Sequence, residues 1–228
     1  MAIPTLLFDV NETLLDMRAL DPLFEATFGA AHARQDWFLT LQGLWMTATL
    51  TDAFKPFETL AAAALTMIAE RDGREVRSAD RDRILTAIKT LPAHGDAAPA
   101  LDLLRRSGVR LAALSNGSLK GVTMQLRNAK LADKFDAIFA ADQVKQYKPA
   151  PAPYLHAARK LNVKPSAIDL VAAHAWDIAG AAAAGLHTVF VRRPGKTLNP
   201  SGPTPNIVVS DLTEFARHVA ARRRQRTR

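Results

Sequence analysis

The 228-residue sequence contains no cysteine, which excludes disulfides and thiolate metal sites and fits a reducing compartment. It also lacks any stretch of about 18 uninterrupted apolar residues that could cross a bilayer as a helix. The start, Met1 to Val10, has neither a basic segment nor a long apolar one, so no signal peptide is expected and the expected location is the cytoplasm. Apolar residues make up 48% and charged ones 23%, the balance of an ordinary globular protein with room for a core domain and a smaller second one.

The formal net charge is +8, but its distribution argues against a nucleic-acid partner. Arg217, Arg222, Arg223, Arg224, Arg226 and Arg228 crowd the last dozen residues, and without them the chain carries only about +2. A basic run at a chain end is usually a solvated terminus.

Two kinds of patterning divide the chain. Thr5-Leu6-Leu7-Phe8 is a short apolar run halted by Asp9, as a buried parallel strand would be. From about Asp16 to Thr90 the spacing is helical: Leu20, Leu23, Phe24 and Phe28, then Trp37, Phe38, Leu41 and Leu44, then Leu60, Ala64, Leu65 and Ile68, with a short piece from Arg83 to Leu91 closed by Pro92. Beyond Pro92, helices alternate with strands. Helices are expected at Ala97–Ser107 (ended by Gly108), about Lys120–Lys130, Pro153–Leu161 and Ile178–Ala184. Strands are expected at Val109–Leu114, Ala137–Ala140, Ile168–Ala172 and Thr188–Val191. After a Pro- and Gly-rich loop at Gly195–Pro205 come a last strand, Ile207–Val209, and a closing helix. This alternation implies an α/β protein with a parallel, Rossmann-like sheet. The expected core domain is 1–15 with 93–228, and 16–92 is an inserted helical domain.

Ligands of such sheets bind at the carboxyl ends of the strands. Those ends carry Asp9, Asn11 and Thr13, then Ser115 and Asn116, then Lys148, then His174 to Asp177. Taken singly, each has an ordinary reading: a helix cap, a turn, a solvated lysine. Their joint occurrence in order does not.

These segments resemble the four motifs of the haloacid dehalogenase superfamily. Phe8-Asp9-Val10-Asn11-Glu12-Thr13-Leu14 is similar to the first, Leu114-Ser115-Asn116-Gly117-Ser118 to the second, Tyr147-Lys148-Pro149 to the third and Ala175-Trp176-Asp177 to the fourth, over Ile3 to about Val191. The resemblance implies that the helical insert is a cap domain and that Asp9 is a covalent nucleophile. Superfamily phosphatases carry a second Asp two residues after the nucleophile and two acids in the fourth motif. This chain has Asn11 and Asp177 alone, one carboxylate short for a hard Mg²⁺ ion, so no metal or other cofactor is expected. It is similar instead to the (S)-2-haloacid dehalogenases, with Arg34 matching a cap arginine, Phe57 a cap aromatic near the halogen, Tyr154 a tyrosine after the third motif and Trp176-Asp177 their Trp-Asp pair.

The implied substrates are short 2-haloalkanoic acids, haloacetates and L-2-halopropionate, with fluoroacetate within range. Asp9 displaces the halide to give an ester, and water then attacks the Asp9 carbonyl. The resemblance assigns Lys148 to keeping Asp9 ionised and attracting the substrate carboxylate, and Ser115 with the backbone N–H groups after Asp9, including that of Val10, to holding that carboxylate. Arg34 and Asn116 would donate to the halide, Asp177 would orient or deprotonate water, and Thr13 would position Asp9. Asn11, Phe57, Tyr154, His174 and Trp176 would line the substrate pocket. Where better-known members carry Ser, Asn and Tyr, this chain has Ala172, His174 and Asn11. His174 either narrows the pocket and adds a donor, which would favour haloacetates, or is a satisfied histidine behind the site. The family further implies a homodimer. Alternatives are an Mg²⁺-dependent phosphatase, a same-scaffold hydrolase opening a strained non-halogenated substrate, and an interaction protein with a vestigial site.

Overall fold

A computed structural model describes residues 4–30 and 32–226. Residues 1–3, where the resemblance and the reading of the N-terminus begin, lie outside this description, as do Arg228 and the side chain of Arg226. Among the described residues the strands β1 (Thr5–Phe8), β2 (Arg110–Ser115), β3 (Ala137–Ala140), β4 (Ile168–Ala172), β5 (His187–Val191) and β6 (Ile207–Val209) form one sheet in the order β3-β2-β1-β4-β5-β6. Every pairing is parallel, with Phe8 abreast of Ala113 on one side and Val171 on the other. The chain moves outward from β1 to β3 and then returns to the opposite side of β1 as β4. That reversal opens a crevice at the carboxyl ends of β1 and β4, where ligands of such sheets bind.

Both faces of the sheet are covered, and the alternation of side chains shows it. Leu6, Phe8, Leu111, Ala113, Val171 and Val189 join one core, which takes in α5 (Ala97–Arg106), α6 (Leu119–Asn128) and α9 (Leu212–Arg226). Leu7, Ala112, Leu114, Leu170, Ala172 and Phe190 face the other, built with α7 (Pro151–Leu161) and α8 (Ala175–Ala183). Two buried faces explain why these strands read as continuous apolar runs rather than alternating ones.

Between β1 and α5 the structure is helical: α1 (Asp21–Phe28), α2 (Ala33–Leu50), α3 (Phe57–Arg71) and α4 (Ser78–Ala87), with short 3₁₀ turns before and after. α2 buries Trp37, Phe38, Leu41, Trp45 and Ala48, and α3 buries Leu60, Ala61, Ala64, Leu65 and Ile68, both at helical spacing. These side chains belong to the same apolar cluster as one face of the sheet. Where the chain leaves and rejoins the sheet it is pinned together: Leu15 bridges Ala93, and the Asp16 N–H donates to the Pro92 carbonyl at 2.8 Å.

Several element ends differ from expectation near the crevice. α7 starts two residues early, because Pro151 takes the first helical turn, where its missing N–H needs no partner. α8 starts three residues early, which puts Trp176 and Asp177 inside its first turn. Asp177 is therefore not the residue that precedes and caps this helix; His174 stands there.

Gly180 on α8 faces the segment after Lys148: a Cβ there would lie 2.5 Å from the Pro149 carbonyl oxygen and 2.6 Å from the Tyr154 hydroxyl. Gly43 on α2 has nothing within 4 Å of such an atom. Gly180→Ala should therefore destabilise by about 1–3 kcal/mol through overpacking, whereas Gly43→Ala should stabilise by up to about 1 kcal/mol through helix propensity. Urea denaturation of the two variants beside the parent checks the opposite signs.

Candidate active site

Lys148 organises the crevice. Its side chain has no exposed surface, and its ammonium donates to Asp9 Oδ1 at 2.9 Å, Asp177 Oδ2 at 2.6 Å and the Leu114 carbonyl at 3.1 Å. Its backbone is clamped by Asn116, which accepts from the Lys148 N–H at 2.7 Å and donates to the Lys148 carbonyl at 3.0 Å. Asp9 Oδ2 accepts from the Thr13 hydroxyl at 2.7 Å, and that hydroxyl accepts the Ala173 N–H at 3.0 Å, tying the β1 loop to the end of β4. Asp177 Oδ1 accepts from the buried Tyr154 hydroxyl at 2.6 Å.

Burial would raise the carboxyl of Asp9, but the Lys148 ammonium and His174 outweigh it and hold Asp9 well below the usual carboxylate range. Burial would likewise depress the Lys148 ammonium, yet Asp177 and Asp9 keep it above its ordinary value. Asp177 is pushed up, chiefly by burial, and the Asp9 charge adds to the push. The result is an ionised, buried carboxylate at the end of the central strand.

A second polar series leads away from Asp9. His174 Nδ1 lies 3.3 Å from Asp9 Oδ2, and His174 Nε2 is 2.8 Å from Glu12 Oε2. Glu12 also pairs with Lys196 and, at 3.5 Å, with Arg34 Nη1, while Arg34 Nε is held by Asp21. The His174 ring stacks with both Phe38 and Trp176, with centroids 5.8 Å and 4.9 Å away. Burial opposes charge on His174, but its two carboxylate neighbours raise it above the ordinary histidine value. Burial also opposes charge on Glu12, but His174 and Lys196 bring it down to about 2.

A cavity of about 480 Å³ opens at this series, lined among others by Glu12, Arg34, Phe38, Arg193 and Lys196. Arg193 is itself engaged, bonded to Asp96 and to the Thr13 carbonyl. A second, narrower cavity is lined by Asn11, Phe57, Gly117, Ser118 and Gln125. Among the described residues no group of three or more His, Asp or Glu side chains is placed to hold a metal ion.

Residues 3–185 match the family described as haloacid dehalogenase-like hydrolase. The chain is 32% identical to (S)-2-haloacid dehalogenase 1 of Pseudomonas sp. (strain CBS-3), over 91% of its length and 92% of that protein's. It is 34% identical to (S)-2-haloacid dehalogenase 4A of Burkholderia cepacia over 82% of each. A crystal structure of a dehalogenase with an intermediate complex superposes with a TM-score of 0.89 at 30% identity, covering 96% of this chain and 97% of that one. The chain belongs to the haloacid dehalogenase-like hydrolases.

The structure of this haloacid dehalogenase-like hydrolase brings Asp9, Thr13, Lys148, Asn116, His174 and Asp177 into one connected polar network. The other expected residues have these surroundings. Arg34 is at the cavity, but two carboxylates hold its guanidinium. Tyr154 has no exposed surface and its hydroxyl is directed at Asp177, so it supports that carboxylate instead of lining a pocket. The Val10 side chain is in the apolar core. Ser115 accepts the Gly117 N–H at 3.1 Å. Asn11 and Phe57 line the narrower cavity, where Asn11 accepts from Gln125 at 3.0 Å. The α2 aromatic stacked on His174 is Phe38, expected from its spacing to be core, and Trp176 stacks on the same ring. Glu12 and Lys196 were also missed. The one signal for Glu12 was an acid inside the first motif, and Lys196 was hidden in a loop of no evident pattern.

Glu12 provides a test of the network. Its folded value of about 2 lies below its ordinary 4.5, so it contributes stability above pH 4.5 that is lost as pH falls through about 2. Glu12→Gln should therefore lose less stability than the parent over that window, measured as the difference in Tm against pH.

Proposed function

We propose that this hydrolase cleaves the carbon–halogen bond of short 2-haloalkanoic acids through an ester on Asp9. The observation that carries the reading is the Asp9 carboxyl, buried at the switch point of the sheet and bonded to Lys148 and Thr13, an arrangement that favours its ionised form. A carboxylate kept charged away from water is a competent nucleophile at a carbon bearing a leaving group. Attack forms the carbon–oxygen bond and expels halide; water then adds at the Asp9 carbonyl and releases the 2-hydroxy acid. The named Pseudomonas and Burkholderia relatives, (S)-2-haloacid dehalogenases, support this substrate class.

Within this reading Thr13 orients Asp9, Lys148 offsets its charge, and Asp177 with Tyr154 holds Lys148. Ser115 and the N–H groups after Asp9, Val10 included, receive the substrate carboxylate. Arg34 and the second N–H of the Asn116 amide face the halide, and Phe57, Asn11 and Trp176 bound the substrate. No metal or cofactor enters any step. Residues 16–92 act as a cap on the 1–15 and 93–228 core, and the pinned crossing at Leu15 and Ala93 supports that division. The reading extends to a homodimer in the cytoplasm. Leu39, Leu50 and Met67, exposed on α2 and α3, support the dimer.

One observation favours a second reading, a same-scaffold hydrolase opening a strained ring: Arg34 is already paired by Glu12 and Asp21, which leaves less positive charge for a halide.

Halide release from chloroacetate, fluoroacetate and L- and D-2-chloropropionate, with chelator present, separates the two. The first reading expects release that survives the chelator, vanishes in Asp9→Asn and falls by about 10²-fold or more in Lys148→Met. No halide from any of these acids would overturn it in favour of the ring-opening hydrolase.

A further inference from the structure

We infer that His174, positioned by Glu12, is the base that activates water for hydrolysis of the Asp9 ester. This rests on the ester-forming reading above and concerns its second half. Two observations support it. Asp177, the acid expected to activate water, has each carboxylate oxygen taken at 2.6 Å, Oδ1 by Tyr154 and Oδ2 by Lys148. His174 by contrast commits one ring nitrogen to Glu12 and turns the other toward Asp9 itself. Nε2 is bonded to Glu12, while Nδ1, buried and 3.3 Å from Asp9 Oδ2, makes no hydrogen bond among the described residues. A carboxylate fixing one ring nitrogen and leaving the other beside the reacting carbonyl is the geometry of an oriented general base.

The proton inventory closes. In the resting site the two carboxylates beside His174, Asp9 and Glu12, favour the protonated imidazole, and the inventory starts from that form. Once Asp9 is alkylated it carries no charge, His174 loses one of its two anionic neighbours, and its proton leaves to solvent. Water then forms a bond to Cγ of Asp9 as one of its protons passes to Nδ1. The bond from Cγ to the substrate oxygen breaks, and the departing alkoxide takes the proton of the new Cγ hydroxyl. Asp9 is again a carboxylate beside a protonated His174. One halide and one proton have been released for each water consumed.

Asp9 and Glu12 from the β1 loop set the titration of His174 directly; Lys148 and, beyond it, Asp177 act on it through Asp9, and Arg34 of α2 and Lys196 of the loop after β5 act through Glu12. Removing the Glu12 charge leaves Arg34 and Lys196 less opposed and lowers the His174 value, so the base form appears at lower pH.

The test mixes His174→Asn, Glu12→Gln and the parent with excess chloroacetate, following chloride by rapid quench and the Asp9 ester by intact-protein mass. His174→Asn should release one chloride per site and then stall as a carboxymethyl ester, with decay slowed by at least about 10²-fold. Glu12→Gln should release the same first chloride, lose its ester about tenfold more slowly, and show the midpoint of ester decay against pH shifted downward. A histidine that is only structural would not move that midpoint. Parent-like ester decay in His174→Asn, or an unmoved midpoint in Glu12→Gln, would overturn the inference alone. No chloride from the parent would overturn the underlying reading instead.

Discussion

An ammonium with no exposed surface is the constraint around which this protein is arranged. A buried charge is tolerated only when it is paired and hydrogen-bonded, and breaking such a pair from one side typically costs about 3–5 kcal/mol. Lys148 meets the requirement with two carboxylates and a carbonyl: Asp9 just after β1, Leu114 of β2 and Asp177 in the first turn of α8. Its backbone is fixed by Asn116 at the end of β2. One side chain thus ties three segments together at the carboxyl edge of the sheet, and its charge, with that of His174, favours the ionised form of Asp9.

The second layer, Glu12, His174, Lys196 and Arg34, links this centre to the inserted helices. Arg34 and Phe38 both belong to α2, yet one pairs with Glu12 and the other stacks on His174. The position of α2 and the electrostatics of Asp9 are therefore coupled through two side chains. Glu12 also occupies a left-handed backbone conformation, φ 64°, which side chains other than Gly, Asn and Asp rarely adopt. That local strain is balanced by an acid facing three cationic partners.

The sheet and the first set of site residues were legible because both are local in sequence. Strands buried on two faces give short apolar runs, and the residues that end them, Asp9, Ser115 and the segment before Asp177, fall at the crevice by construction. What stayed hidden depends on contacts across the fold. His174 meets Glu12 across 162 residues and Lys196 meets Glu12 across 184, and no periodicity encodes either pairing. Phe38 sits at a spacing that fits a core position, and its ring does pack there while also covering His174. Tyr154 misled for the opposite reason: its residue type suits a pocket, but Gly180 lets α8 come so close that the hydroxyl is enclosed.

The crossing between the sheet and the inserted helices has an evolutionary consequence. Because Leu15 and Ala93 stand side by side, the segment between them begins and ends at the same place and behaves topologically as a surface loop. The entropy of closing such a loop grows only slowly with its length, about 0.6 kcal/mol for each doubling. Residues 16–92 can therefore be lengthened, trimmed or exchanged over generations without shifting the register of β1 against β2 or β4. The chemistry-bearing strand ends and the inserted helices can thus diverge at different rates, as long as the pinned crossing and the few side chains that reach the site, Arg34 and Phe38 among them, are kept.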